Sequence, residues 1–389
     1  MRIILTGGGT GGHIIPFAPI IESLRTVFSE KQESLPEYLE PTELTITFAG
    51  VVTDEASQLF LQHDVAAIHI PSGKLRRYFS GVTFIDLLFR LPLGVLRALI
   101  VVWRIMPDVV ISKGAYGSLP VLAAATFFRI PILLHESDSV AGISNSIFGR
   151  LAAGIALGYS AARDTLGKHA SKSVTTGNPV RAAIRQGTPE QAKRVLQIPE
   201  QEFVLLVVGG SQGAVQLNDA ILAALPKLII DTTIIHVTGP KNFEAVKAVS
   251  VDLVAHSPRK QFYFVYPYLE DAQMIHAFVA ADAVITRAGS TLAEIAAAKK
   301  PALIIPLETS AGDHQRKNAQ AFESAGAALV LDPKNMGRNL FAQNVRRLRD
   351  DEALRNQLSA NIAQLDFPRA ARDIAELSFY LAQGFRPSS

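Results

Sequence analysis

The chain has 389 residues, 48% of them hydrophobic, a formal net charge of +3 and no cysteine. Length and apolar content support about two domains with sizeable cores. The lack of cysteine excludes disulfides, thiolate metal sites and cysteine nucleophiles and fits a reducing compartment, while so small a charge gives no reason to expect a nucleic-acid partner.

No stretch reaches the about 18 uninterrupted apolar residues of a membrane-spanning helix. The apolar run after Met1-Arg2 is too short for a signal peptide and breaks into glycines. That opening run, Arg2 to Thr6, reads as a strand, Gly7 to Gly12 as a tight glycine loop, and Ile14 to about Leu24 as a helix. A loop delivering the chain into a helix start exposes unpaired N–H groups and suits a phosphate or developing negative charge. His13 stands where that helix is expected to begin, so its imidazole is expected to point into the same cleft as that loop. The spacing Gly7-x-Gly9-x-x-Gly12 also fits a dinucleotide fingerprint, but the second strand, Thr45 to Gly50, lacks the acidic residue that would hold a ribose.

Residues 29–43 are polar and rich in Glu and Pro, and read as a long surface connection. Strands are expected at 44–49 and 65–70, with a helix from Glu55 to His63 between them. Residues 74–106 are basic, aromatic and apolar, and Arg90, Arg97 and Arg104 recur every seventh residue. The pattern fits a solvated stripe on a buried helix, or a basic collar around an apolar patch resting on anionic lipid. Pro107 stops the helix. Asp108 to Ser112 reads as a strand, Lys113 to Ser118 as a second glycine loop, and a helix follows near Leu119. Ile132 to His135 is a strand leading into Glu136-Ser137-Asp138, with further strands at 154–158 and 173–176.

Thr176-Gly177-Asn178-Pro179-Val180-Arg181 reads as a domain junction. The expected domains are 1–177 and 178–367, with a C-terminal helix at about 368–389 returning to the first. The second half repeats the opening: a strand from Phe203 to Val208, a glycine turn from Gly209 to Gly213, and a helix from Val215 to Leu225. Strands follow at 233–237, 262–266, 283–286, 302–306 and 328–331, and a charged helical tail runs from Phe341 to Gln364. Alternating β and α segments imply two doubly wound parallel sheets, α/β in class, with ligands at the carboxyl ends of the strands in a cleft between facing domains.

Two constellations stand out in the second half. In Arg287-Ala288-Gly289-Ser290-Thr291-Leu292-Ala293-Glu294, Ser290 and Thr291 fall at a helix start that suits a phosphate, and Glu294 is placed to accept both hydroxyls of a ribose. The same residues fit a capping box. Asp313, His314, Gln315 and Asn318 fit either sugar recognition or an ordinary helix cap. No metal motif, serine-nucleophile elbow or lysine-bearing phosphate loop is present, so neither metal nor cofactor is expected.

Gly8-Gly9-Thr10-Gly11-Gly12-His13, His135-Glu136, Gly177-Asn178-Pro179-Val180-Arg181, Gly209-Gly210-Ser211-Gln212-Gly213-Ala214, Arg287-Ala288-Gly289 with Glu294, and Asp313-His314-Gln315 with Asn318 follow in one order. In this order the chain closely resembles the MurG-type bacterial peptidoglycan glycosyltransferases over nearly its whole length. The resemblance implies a two-domain GT-B fold. It implies inverting, metal-independent transfer of N-acetylglucosamine from its UDP donor to an undecaprenyl-pyrophosphoryl muramyl-peptide, peripherally at the cytoplasmic face of the bacterial membrane. It places Thr10, Gly11 and Gly12 against the reacting sugar and pyrophosphate, and His13 as the base. It places Arg181 and Ser211 on the diphosphate, the Leu269 backbone on uracil, Glu294 on the ribose and Gln315 on the donor sugar, and Tyr116 matches a tyrosine of the second glycine loop. Where the family pattern has Gln-Asn after His-Glu, this chain has Ser137-Asp138. The asparagine position meets the donor sugar, and an ionised aspartate accepts hydrogen bonds but cannot donate them. Other GT-B enzymes, such as a glycolipid synthase or a UDP-sugar 2-epimerase, and a non-catalytic scaffold remain as alternatives. The epimerase has no use for the segment 74–106, and intact His13, Glu294 and Gln315 speak against the scaffold.

Overall fold

The computed structural model describes residues 1–8, 11–33, 43–73, 86–210, 213–308, 310 and 313–385. Thr10, Ser211, residues 34–42 of the polar connection and residues 74–85 of the basic segment lie outside the described residues. The chain divides into two compact units, Met1–Pro179 with Phe367–Ser389, and Val180–Asp366.

Among the described residues the first unit holds seven parallel strands: β1 Arg2–Thr6, β2 Thr45–Gly50, β3 Ala66–His69, β4 Val109–Ser112, β5 Ile132–Glu136, β6 Gly154–Leu157 and β7 Ser173–Thr175. Their order is β3-β2-β1-β4-β5-β6-β7. Leu5 of β1 lies between Phe48 of β2 and Ile111 of β4. Strands buried on both faces read as unbroken apolar runs, which is why Ile3-Ile4-Leu5 and Val109-Val110-Ile111 occupy the centre. Alternation sends Ile3 and Leu5 to a core with Phe17, Ile21, Phe48 and Phe379, and Ile4 to an opposite core with Val102, Leu122 and Leu134.

The first helix runs from Phe17 to Glu33, later at both ends than the sequence pattern predicts. Pro16 has no N–H to place in a helical ladder and restricts Ile15 before it, so regular helix starts beyond it. At the other end Ser29 to Glu33 continues the helix instead of forming a loop, because Glu, Lys and Gln are good helix formers. The C-terminal helix, Ala370–Ala382, lies along it. Phe28 and Phe379 have ring centroids 6.1 Å apart, and Arg372 Nη2 is 2.6 Å from Glu30 Oε2. The chain leaves the first unit past Gly177, whose φ is +80°, and a Cβ there would stand 2.2 Å from the Cβ of Phe367, where the chain returns. Only glycine fits.

Among the described residues the second unit holds six parallel strands: β8 Val204–Val208, β9 Thr233–Val237, β10 Tyr263–Tyr266, β11 Ala283–Thr286, β12 Ala302–Ile304 and β13 Leu329–Val330, in the order β10-β9-β8-β11-β12-β13. β12 and β13 are shorter than the apolar runs predict, and Pro306 cannot extend a ladder as a donor. The charged tail is two helices, Arg338–Asp350 and Glu352–Ala363, not one. Asp351 breaks it by accepting the Leu354 N–H at 2.9 Å as a fresh N-cap. Both sheets have the doubly wound strand order, which reverses between β1 and β4 in one unit and between β8 and β11 in the other. Ligands of such sheets bind beyond the carboxyl ends of the strands at that reversal.

Candidate active site

In the first unit the loops after β1, β2 and β4 close on one another. A Cβ on Gly50 would stand 2.6 Å from the Gly7 carbonyl oxygen, and one on Gly117 would stand 2.7 Å from the same atom. The convergence therefore exists only because those positions lack side chains. Gly11, Gly12 and His13 form a short 3₁₀ turn ahead of the Phe17–Glu33 helix. His13 thus stands one turn before the helix, not at its first residue as the sequence predicts. Its ring is set by a neighbour instead: Nδ1 lies 3.1 Å from the main-chain carbonyl of Lys113. A carbonyl only accepts, so Nδ1 carries the proton and the neutral ring has its lone pair on Nε2, the tautomer a general base needs.

Lys113, which sequence reasoning passed over, is 1% exposed. Its ammonium lies 2.6 Å from His135 Nδ1 and 2.5 Å from Ser137 Oγ. Burial draws its pKa down to about 7, against the opposing pull of Glu136 and Asp138. His135 is buried and its Nε2 lies 3.2 Å from the Gly177 carbonyl. Burial, and then the charge of Lys113, hold it well below the usual histidine range. Glu136 Oε1 accepts the Asp138 N–H at 3.0 Å, and Oε2 accepts from Gly142 N and Asn145 Nδ2, each at 2.8 Å. Burial and the nearby Asp138 raise its pKa, while those three donors counter them. Glu136 is therefore the post around which residues 137–142 fold. Asp138 is half-buried in that loop and does not cap the next helix, Ile143–Phe148, whose N-cap is Gly142. Tyr116 opens a 3₁₀ turn, and its carbonyl accepts the Ser72 hydroxyl at 2.6 Å.

In the second unit the predicted residues that are described stand in the segments after β10, β11 and β12, with Arg181 paired into the first two. Arg181 Nη1 is 2.8 Å from Asp271 Oδ1 and Nη2 is 2.5 Å from Glu294 Oε1. Burial works against the charged guanidinium, but Glu294 and Asp271 outweigh it and raise its pKa. Glu294 lies in the first turn of the helix Thr291–Ala298. The N-cap residue Ser290 makes no side-chain cap bond, so the capping box gives way to an Arg181–Glu294 pair. Asp271, the second partner, opens the helix Asp271–Ala280 and was not singled out from the sequence. Just before it, Leu269 is 3% exposed, and Glu270 and Gln273 form a capping box that fixes the main chain there. Gln315 lies in the helix His314–Ser324, its Oε1 accepting the Leu307 N–H at 2.9 Å, so the amide NH₂ is the end left to donate. Asn318 Nδ2 donates to the Ala288 carbonyl at 3.0 Å, a tie between that helix and the loop after β11. Among the described residues no group of three or more His, Cys, Asp or Glu side chains is arranged to hold a metal ion.

Away from these loops, the helix Leu91–Ile105 buries Gly94, Ala98 and Val102 in the first unit. Its other side exposes Leu93, Leu96, Ile100 and Trp103, continuous with Leu88 and Phe89 in the preceding turn. Arg90, Arg97 and Arg104 are exposed along the same segment. Among the described residues no helix is long and apolar enough to cross a membrane.

The N-terminal domain model of glycosyltransferase family 28 matches residues 34–157, and the C-terminal domain model of the same family matches residues 204–374. A UDP-N-acetylglucosamine–N-acetylmuramyl-(pentapeptide) pyrophosphoryl-undecaprenol N-acetylglucosamine transferase of Treponema denticola is 33% identical over 376 residues, covering 93% of this chain and 92% of the relative. The crystal structure of Acinetobacter baumannii MurG superposes with a TM-score of 0.68 at 24% identity, covering 97% of this chain and 99% of that one. A UDP-GlcNAc 2-epimerase from Neisseria meningitidis, bound to UDP-GlcNAc, also gives 0.68, at 13% identity and with coverage of 97% and 99%. Fold likeness does not separate transferase from epimerase; sequence does.

Proposed function

Since the chain belongs to the UDP-N-acetylglucosamine–N-acetylmuramyl-(pentapeptide) pyrophosphoryl-undecaprenol N-acetylglucosamine transferases of glycosyltransferase family 28, we propose that His13 is the base and Arg181 and Glu294 the donor clamp of that transfer. The enzyme is a UDP-N-acetylglucosamine-dependent transferase of GT-B fold acting in peptidoglycan synthesis. The observation that carries this is relationship to the transferases along the whole chain.

The reaction forms a bond from an acceptor hydroxyl to the anomeric carbon and breaks the bond from that carbon to the diphosphate. The electron pair leaves on UDP and the proton goes to His13 Nε2. Attack from the face opposite the leaving group inverts the centre. The Nδ1–H to Lys113 carbonyl bond supports this role, because it fixes the neutral tautomer whose lone pair is on Nε2. Thr10, Gly11 and Gly12 attend the sugar and pyrophosphate, with Tyr116 on the acceptor side and Asp138 toward the donor sugar. Residues 1–177 with about 368–389 form the acceptor and membrane-facing domain, and residues 178–367 the donor domain.

For the donor, Leu269 meets uracil through its backbone and Gln315 donates its NH₂ to the sugar. Glu294 takes the ribose hydroxyls, and Ser211, Ser290 and Thr291 meet the phosphates. Arg181 with two carboxylates carries a net negative charge, so charge balance favours a diphosphate that takes the guanidinium in exchange for one of them. Asp271 is the partner to leave, because its side chain is 32% exposed against 17% for Glu294. Nη2 then keeps Glu294 oriented toward the ribose while Nη1 turns to phosphate.

The exposed face from Leu88 to Trp103, with its three arginines, supports docking on anionic lipid at the cytoplasmic face of the membrane, where a polyprenyl-linked acceptor is reached. Nucleic acid has no place in this reading. The test is UDP release with and without the lipid-linked muramyl acceptor. A transferase releases UDP only with acceptor and yields the disaccharide; a 2-epimerase converts the UDP-sugar without it, and that result overturns the assignment.

A further inference from the structure

Lys113 reaches two parts of the first unit at once. Its carbonyl holds His13, and its buried ammonium holds the end of β5 through His135 Nδ1 at 2.6 Å and Ser137 Oγ at 2.5 Å. His135 Nε2 donates to the Gly177 carbonyl, so the imidazole can only accept at Nδ1. That makes the ammonium to His135 bond charge-assisted, and its direction is fixed. The charged and titratable groups facing this centre are His135 and Glu136 from β5, Asp138 from the loop beyond it, and His13 from the turn after β1. Glu136 commits both oxygens to N–H donors of its own loop and of Asn145. The ammonium is thus the positive group against which Ser137 and Asp138 are set, in the two positions where this chain departs from the Gln-Asn of its family pattern.

Resting on the reading of His13 as base and Asp138 as a donor-sugar contact, we propose that Lys113 is a positioning residue of the transfer, its ammonium holding the Ser137-Asp138 loop in register with the His13 turn. The neutral amine keeps the main-chain bond to His13 but loses the charge-assisted grip on the loop. Burial, opposed by Glu136 and Asp138, brings its pKa to about 7. The ammonium is present below that value and lost above it, so turnover falls on the alkaline side.

Lys113→Met retains the length of the side chain and the carbonyl that holds His13, and removes only the charge and its donors. Its kcat falls about tenfold to a hundredfold, the size of a charged hydrogen bond, while affinity for UDP, which lacks the sugar that Asp138 meets, is unchanged and the alkaline limb of the kcat profile disappears. Ser137→Ala removes one acceptor of the ammonium, which favours the neutral amine, so the limb moves to lower pH. If Lys113→Met does not fold, as read from its melting transition, Ser137→Ala decides alone: a shifted limb supports the role and an unmoved limb overturns it. A Lys113→Met enzyme with wild-type kcat and pH profile also overturns it, while leaving the transferase assignment intact. A wild-type enzyme that transfers nothing to the lipid-linked acceptor removes that assignment, and this role with it.

Discussion

In the proposed donor clamp, Asp271 and the donor diphosphate compete for one guanidinium, and the competition has a size. Arg181 Nη1 lies 2.8 Å from Asp271, whose side chain is 32% exposed, so the pair is partly screened. A charge-assisted bond in such a place contributes about 1 kcal/mol net. Asp271→Asn removes the charge that a phosphate must displace, so UDP should bind about fivefold more tightly, with most of the gain at low salt. Arg181→Met acts in the opposite sense. It removes the phosphate contact and leaves Glu294, 17% exposed, with its charge uncompensated. About 2 kcal/mol of binding should go, a weakening of about thirtyfold. Stability should fall as well: about 2 kcal/mol in a unit of this size lowers the melting temperature by roughly 4–8 °C. Isothermal titration calorimetry with UDP at two ionic strengths, paired with scanning calorimetry, reads both effects. If Asp271→Asn weakens UDP as much as Arg181→Met does, Asp271 positions the arginine instead of competing for it, and the exchange is wrong.

Replacing Leu88, Phe89 and Trp103 with serine should weaken binding to anionic vesicles about a hundredfold, from the apolar area withdrawn; sedimentation with phosphatidylglycerol vesicles measures it, and unchanged binding removes the patch from the membrane contact. Gly177→Ala should destabilise the first unit by about 2–3 kcal/mol through its positive φ and the clash with the Phe367 Cβ. Adding Phe367→Ala should restore part of the loss, because it removes the Cγ at 2.3 Å and the Cδ2 at 2.7 Å but leaves the Cβ at 2.2 Å, and Phe367→Gly should restore more. Equal melting temperatures for the two double variants would show that the Cβ contact is not the cause.

The alternation of strands and helices was legible because central parallel strands bury both faces and so stand out as apolar runs such as Val204-Leu205-Leu206-Val207-Val208. The glycine loops that end β1, β4 and β8 were legible for the same local reason. Features that depend on strand order were not. Lys113 reads only as the first residue of a glycine loop, and its burial follows from β4 lying beside β5, which brings His135 and Ser137 to it. Asp271 follows Glu270 at a helix start and reads as a cap; its partner Arg181 is 90 residues away in sequence. The late start of the first helix follows from Pro16, which the apolar periodicity from Ile14 does not register. The break at Asp351 was hidden by helix-forming neighbours on both sides.

The central claim is that the chain moves N-acetylglucosamine to the lipid-linked muramyl sugar with His13 taking the hydroxyl proton. Single-turnover transfer by wild type and His13→Ala, at saturating acceptor and with UDP affinity measured in parallel, tests it most directly. The account predicts an inverted, β-linked product from the wild-type enzyme. In the variant, the transfer rate should drop about a hundredfold or more while UDP affinity is retained. A variant that transfers at the wild-type rate, or a wild-type product with retained anomeric configuration, would contradict it.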